Sequence, residues 1–238
     1  QTECEELPIF SKPGMPRPEE IEEHSRQFQE ALRKRSPRWR WSDYECVYSH
    51  LLALLHEFGW CVAAVGATVS LYDHSRLTAA LALCLYRARS VQSGQDTEVP
   101  GEAPFLLLAG DTSGIQKYIF DISTIGAGGV AKRLRARSFA VAMLSEVAAL
   151  RVLRHLQLPA MSILTAAGGN FLIVAPNRPE TVLALQELQH DFDAWTLDEF
   201  HGALTVNLGW TAARADDLHA GSYSATLARL HGVLAVRK

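Results

Sequence analysis

Two strand-length apolar runs, Met161 to Ala166 and Phe171 to Ala175, are separated only by Ala167-Gly168-Gly169-Asn170. A connection that short joins strands as a tight hairpin, and adjacent glycines supply the positive φ such a turn needs. The two strands are therefore antiparallel, and the flanking segments must cover their apolar faces. Before them, a helical pattern runs from about Ala131 to Leu156. It follows the short apolar run Phe105 to Ala109, which ends at Gly110-Asp111, where a strand would meet a loop. After the hairpin, Pro179 opens a helix to about Trp195, Ala203 to Thr211 alternates as a fourth strand, and Asp216-Asp217 caps a last helix through Leu234. The order is βαββαβ with a trailing helix, a ferredoxin-like α+β arrangement.

The upstream half reads differently. Residues 1–20, with Pro8, Pro13, Pro16 and Pro18, suit an extended tail. A charged helical pattern from Glu19 to about Arg35 is broken by Ser36-Pro37 ahead of Trp39-Arg40-Trp41. Ser42-Asp43 offers an N-cap to a helix whose buried face is Val47, Leu51, Leu54, Leu55 and Phe58, ending near Gly59. A second helix, about Ser75 to Arg89, is apolar nearly all round and belongs in a core. Residues 91–104 are poor in apolar side chains and read as a linker between a helical region, 1–90, and the α+β domain, 105–238.

Composition narrows the function classes. With 48% hydrophobic and 21% charged residues and no apolar run of about 18, the chain is expected to be cytoplasmic and to have no membrane partner. It begins at Gln1 without a charged-then-apolar leader, so a trimmed chain lacking a signal peptide is expected. Cys4, Cys46, Cys61 and Cys84 are too dispersed for a zinc site or a disulfide framework and read as buried free thiols. The net charge of -3 requires any nucleic-acid argument to be made locally.

Palm domains that join or cyclise nucleotides hold metal ions on carboxylates at the end of the first strand and in the hairpin. Asp111 stands at the first place, but Asn170 stands in the hairpin, and a neutral amide is a poor Mg²⁺ ligand. No catalytic and no metal residue is therefore assigned. What remains is a binding surface: Gly168 and Gly169 would let a base or ribose reach the backbone, and Asn170 can donate to and accept from an adenine edge. Read in isolation, the same residues are ordinary turn chemistry. Ser113-Gly114 after Asp111 could cradle a phosphate at a helix start, or Asp111 or Ser113 could simply cap that helix.

Lys132, Arg133, Arg135 and Arg137 place four cations within six helical residues, a density that suits a triphosphate or an RNA backbone. Gly126-Ala127-Gly128-Gly129 just before them would let that segment adjust to a ligand. Asp73-His74 is too small a set for a metal site and reads first as an N-cap beside a structural histidine. Trp39 and Trp41, interleaved with Arg35, Arg38 and Arg40, suit either base stacking or packing of the tail.

Taken together, Gly110-Asp111-Thr112-Ser113-Gly114-Ile115-Gln116-Lys117-Tyr118-Ile119-Phe120, Ala131 to Phe139 and Ala166-Ala167-Gly168-Gly169-Asn170-Phe171 resemble, in order and spacing, the first palm domain of the large subunit of type III CRISPR effector complexes, the polymerase and cyclase homologue. Its type III-A form is the nearest. Ser70-Leu71-Tyr72-Asp73-His74-Ser75-Arg76 resembles the segment closing the permuted HD domain of that family, so the likeness covers roughly residues 45–238.

The resemblance implies a first palm that binds one ATP, with Mg²⁺ or Mn²⁺ shared with a second palm, for cyclic oligoadenylate synthesis by that second palm. Ser113, Ser138, Gly168, Gly169 and Asn170 would line the pocket together with Asp111 and Gly114. Asp73 and His74 would be remnants of the HD site. The partners implied are guide RNA at its tag end, the backbone and tag-capping subunits, and target RNA indirectly, in a prokaryotic cytoplasm. The upstream helical region has no HD dipeptide to supply the nuclease metals, and no Gly-Gly-Asp-Asp hairpin occurs in this chain, which puts DNA cleavage and cyclisation by this chain alone in doubt. The rival is a reduced structural subunit that anchors the guide-RNA end without nucleotide binding. A free cyclase or polymerase is disfavoured by the missing hairpin acid.

Overall fold

Consecutive buried side chains along a strand require cover on both faces, and in the computed structural model of the chain Phe105, Leu106, Leu107 and Leu108 are all buried. They open β3 (Phe105–Ser113), one of the two inner strands of a four-stranded antiparallel sheet. The structure describes residues 18–60, 62–65, 69–89, 103–120 and 129–237. The proline-rich tail, Cys4, Cys61, most of the expected linker and Gly126-Ala127-Gly128 lie outside the described residues. Two compact units divide after Thr78.

The second unit carries β3, a short helix α4 (Ile115–Phe120), the long α5 (Val130–His155), β4 (Ile163–Ala167), β5 (Asn170–Pro176), α6 (Pro179–Phe200), β6 (Thr205–Ala213) and α7 (Tyr223–Arg237). The sheet order is β4-β5-β3-β6, all antiparallel. This is the ferredoxin-like βαββαβ order expected from sequence, with α7 trailing. Strand alternation divides its side chains between two cores. Leu106, Leu108, Ile173, Val206 and Leu208 pack with α5 and α6 through Ala148, Val152, Leu185 and Leu188. Phe105, Leu107, Ala109 and Val174 face Leu230 and Leu234 of α7, and Ala80 and Cys84.

Two expectations are corrected. The first strand does not end at Ala109: it pairs through Ser113↔Thr205 with β6 and through Asp111↔Asn170 with β5. Gly110-Asp111 is ladder rather than loop, and only Gly114 separates it from α4. The last helix starts at Tyr223, not at Asp216-Asp217. Those acids sit in a 3₁₀ turn, Asp216–Leu218, where Asp217 accepts the Arg214 amide at 2.9 Å instead of capping a helix.

The first unit holds α1 (Pro18–Arg35), α2 (Tyr44–Gly59) and the two-stranded β1 (Ala63–Val65) and β2 (Val69–Ser70). The helix α3 (Leu71–Arg89) starts in this unit and ends in the other. Asp43 caps α2 as expected, accepting the Cys46 amide at 3.1 Å. Phe28 and His24 of α1 meet Phe58 of α2 edge-on. Among the described residues no helix is long and apolar enough to cross a membrane.

Candidate functional site

The sheet places three polar residues in one row. Asp111 on β3, an inner strand, is the register partner of Asn170 on one side and of Asn207 on the other. All three share the face of Ala109 and Leu172, the side on which α7 packs. The Ser113 hydroxyl donates to Asp111 Oδ2 at 2.8 Å. Asn207 Nδ2 donates in turn to Ser113 Oγ at 3.3 Å and to Thr205 Oγ1 at 3.2 Å. Asn207 is only 6% exposed, so its amide is a fixed part of the sheet rather than a mobile surface group.

This row borders a groove of about 670 Å³ between the hairpin and α7, lined by Asp111, Thr165 and Asn170 on the sheet and by Tyr223, Leu227 and His231 on the helix. The last three recur every four residues, so they form one face of α7. Burial pushes the Tyr223 phenol pKa above its ordinary value. A groove with an aliphatic floor, two ring-bearing side chains and amide oxygens and nitrogens at one edge can take a planar heterocycle and read its polar rim.

The glycines separate into two kinds. A Cβ on Gly110 would stand 2.0 Å from the Phe171 ring, and one on Gly169 would stand 2.4 Å from Ile115 Cδ1. One on Gly114 would meet the Ala203 carbonyl at 2.2 Å. These three let backbone and core approach each other. Gly168 differs: its φ of 64° requires the left-handed region, yet open space surrounds it, so it is the hairpin residue whose backbone a ligand can reach. The Thr112 amide donates to the Gly169 carbonyl at 2.8 Å, which commits it to the hairpin rather than to a phosphate cradle.

Not every expected residue gathers here. Ser138 and the basic residues stand on α5, whose buried face packs against the opposite side of the sheet. Within that helix, Arg137 is engaged: it donates to the Tyr118 carbonyl of α4 and lies 4.8 Å over the Tyr118 ring. Arg135 Nε reaches the Ala131 carbonyl at 3.3 Å, while Lys132, Arg133 and Ser138 are exposed. In the first unit α3 starts at Leu71, so Asp73 is not the expected N-cap but lies in the first turn: Ser70 Oγ just before the helix accepts the Asp73 amide at 3.0 Å and donates to its carboxylate at 2.8 Å. His74 beside it is exposed. Asn207, Thr205, Tyr223 and His231 were not anticipated. Parity was the available signal for two of them, since Thr205 and Asn207 share one face of β6 with Gly209, Thr211 and Ala213, while Tyr223 and His231 on α7 left none.

The donor set does not suit a resident divalent cation. Asp111 is the only carboxylate among the groove-lining residues, flanked by amides, and no group of three or more His, Cys, Asp or Glu among the described residues could hold a metal ion.

Comparison with known proteins gives a consistent assignment. A family model for Csm1 subunit domain B matches residues 104–238. The chain is 36% identical over 167 residues to the CRISPR system single-strand-specific deoxyribonuclease Cas10/Csm1 (subtype III-A) of Thermococcus onnurineus, covering 67% of this chain and 21% of that protein. The protein of the same description from Streptococcus thermophilus is 36% identical over 161 residues, covering 64% of this chain and 21% of the relative. The crystal structure of a Csm1-Csm4 cassette in complex with cA3 superposes with a TM-score of 0.74 at 30% identity, over 90% of this chain and 29% of that one. The cassette in complex with one ATP gives 0.73, again at 30% identity over 90% of this chain and 29% of that one. The chain thus spans about a fifth of the length of these relatives.

Proposed function

The chain belongs to the Csm1 family, the large subunit of type III-A CRISPR complexes, and from that premise we propose that its palm supplies a non-catalytic nucleotide-binding surface to such a subunit. The ligand is ATP, held at the groove between the hairpin and α7. The observation carrying this reading is the Asn170-Asp111-Asn207 row, which combines amide donors and acceptors with a single carboxylate at the edge of an aliphatic groove. Related Csm1-Csm4 structures in complex with ATP and with cA3 support the choice of ligand.

In this reading the palm residues bind and orient. Asn170 reads the adenine edge, Gly168 opens the hairpin backbone to the ribose, and Ser113 keeps the Asp111 carboxylate in one orientation. Asp111, Gly114 and Gly169 complete the set at this groove, with Gly114 and Gly169 acting through backbone geometry, while Ser138, on α5 across the sheet, takes no part in it. With Asp111 the one carboxylate lining the groove, the Mg²⁺ or Mn²⁺ accompanying ATP would need further charged ligands from the phosphates and from a second palm outside this chain. A Csm4-like subunit is the neighbouring partner, supported by the cassette structures. Guide RNA, the other complex subunits and target RNA follow from membership of the complex.

A second reading, a structural subunit without nucleotide binding, is favoured by one observation: the Ser113 hydroxyl and the Arg137 guanidinium both have partners within the fold. Calorimetric titration of the intact protein with ATP decides between the two. Asn170→Ala and Ser113→Ala should each weaken binding, and unchanged affinity in both would leave the structural reading.

A further inference from the structure

We propose that Arg237 is a positioning residue of the palm groove: from the sheet edge opposite the hairpin it holds α7 back, and so keeps the groove open to nucleotide. This rests on the nucleotide-binding reading of that groove. The helix packs against β6 and β3, whereas the groove lies on its other flank, over β3, β5 and β4. Sliding of α7 along the sheet would therefore narrow the groove, and a restraint against that movement has to act from the β6 side.

Such a restraint is present at Leu208, Gly209 and Trp210. Because β6 is an outer strand, the Leu208 carbonyl is an edge acceptor with no neighbouring strand to fill it. Arg237 donates to it at 2.8 Å. A Cβ on Gly209 would stand 2.8 Å from Leu234 Cγ, so the bare strand backbone is what lets α7 come down here. The Arg237 guanidinium lies 4.1 Å over the Trp210 ring, and that ring packs with the α5 and α6 core on the opposite face. The side chain thus passes round the edge of the sheet, from the face carrying α7 to the face carrying α6, and straps the helix in place. Its anchor is itself fixed: Gln189 of α6 accepts the Leu208 amide at 2.6 Å and donates to the Val206 carbonyl at 3.0 Å.

The first turns of α7 are held separately. Thr226 Oγ1 donates to the Asp217 carbonyl at 3.3 Å, and Arg229 pairs with the Asp217 carboxylate at 3.6 Å. Between these ties and the strap lies Gly232, where a Cβ would meet nothing within 4 Å. No packing demand explains a glycine there, and inside a helix it costs stability relative to Ala. It leaves α7 a weak point beside the groove-lining His231. Loss of the strap therefore frees α7 from Gly232 onward while the first turns stay tied, and the freed segment competes with ligand for the groove.

The test pairs hydrogen exchange with stopped-flow binding of a fluorescent ATP analogue to the intact protein. Arg237→Ala should speed amide exchange about tenfold or more in residues 232–237 and leave residues 223–229 near their original rates. Because only the open form takes ligand, Kd should rise about fivefold to tenfold, with the change in the association rate and the dissociation rate nearly constant. Arg237→Lys, which cannot lie flat on the ring while donating to the carbonyl, should recover only part of the loss. Val236→Ala, next to it and 89% exposed, should change nothing. A purely structural strap would lower Tm and leave the association rate of the folded protein as it was. That result, or a weakening carried wholly by dissociation, overturns the inference, as does unchanged exchange in residues 232–237. If the original protein binds no analogue, it is the nucleotide reading that fails, and exchange alone then decides the strap.

Discussion

Asn207 donates its side-chain amide to the Ser113 hydroxyl across the β3–β6 pairing, at 3.3 Å, and Ser113 passes its own proton toward Asp111. Two strands therefore cooperate to set one carboxylate. If Asn207 acts through Ser113, the two cannot contribute independently to ATP affinity. Asn207→Ala and Ser113→Ala should each weaken binding about three- to tenfold, near the worth of one hydrogen bond, and the double variant should be no worse than Ser113→Ala alone. Calorimetric Kd values for the four proteins close the cycle. Additive losses would assign Asn207 a separate role.

The hairpin was legible because a glycine pair between two apolar runs has few alternatives, but its turn is only Gly168-Gly169: Ala167 ends β4 and Asn170, read as part of the turn, opens β5. Two features were not legible. Gly110-Asp111 carries local turn chemistry, yet the ladder to Thr205 and Asn207, nearly a hundred residues away, keeps it extended; pairing partners of that separation leave no local trace. Asn207 was invisible for the same reason, since its role comes from the neighbouring strand. Asp216-Asp217 misled in the opposite way. A pair of acids before an apolar pattern imitates an N-cap, but Asp217 spends its carboxylate on the Arg214 amide. The basic helix was read correctly as charge, while the contact that engages Arg137 depends on α4, a six-residue helix too short to show a period.

Gly110 tests how tightly the palm is packed. Gly110→Ala would drive a methyl group into the Phe171 ring, where the nearest atom is 2.0 Å from an ideal Cβ. Overpacking of this kind costs about 2 kcal/mol, a fall in Tm of roughly 4–8 °C for a chain of this size. Phe171→Leu in the same background should recover part of the loss. Gly168→Ala, with open space around it, should cost only about 1 kcal/mol through its positive φ. Thermal unfolding of the three variants beside the original protein checks the order.

Cys84 is buried, and that burial pushes its thiol up to about 12, with Arg87 pulling slightly the other way. In the unfolded chain the same thiol ionises near 9. Its contribution to stability is therefore complete below pH 9 and is lost as pH rises toward 12, because only the unfolded state releases the proton easily. Native protein at pH 8 should alkylate at the half-exposed Cys46 well before Cys84. Cys84→Ala should flatten the alkaline part of the stability curve. Mass mapping of the alkylated cysteines and chemical denaturation between pH 8 and pH 11 measure the two effects, and rapid native labelling of Cys84 would contradict the burial.

Arg133 and Arg137 stand four residues apart on α5, and their surroundings predict opposite phenotypes. Arg137 holds α4 to α5 through the Tyr118 carbonyl and ring, whereas Arg133 is exposed. Arg137→Ala removes a charge-assisted hydrogen bond and a cation–π contact together, so it should cost about 2 kcal/mol and lower Tm. Arg137→Lys should rescue it poorly, because an ammonium cannot lie flat on the ring and reach the carbonyl in the same geometry. Arg133→Ala should leave Tm within about 0.5 kcal/mol of the original. If α5 meets phosphate, it is this second variant, and Lys132→Ala with it, that weakens ATP or RNA binding and lowers the salt dependence by about one counterion per cation removed. Thermal unfolding and salt-dependent binding on the same set of proteins separate the two roles. Equal Tm losses for Arg133→Ala and Arg137→Ala would mean that the basic stripe serves the fold alone.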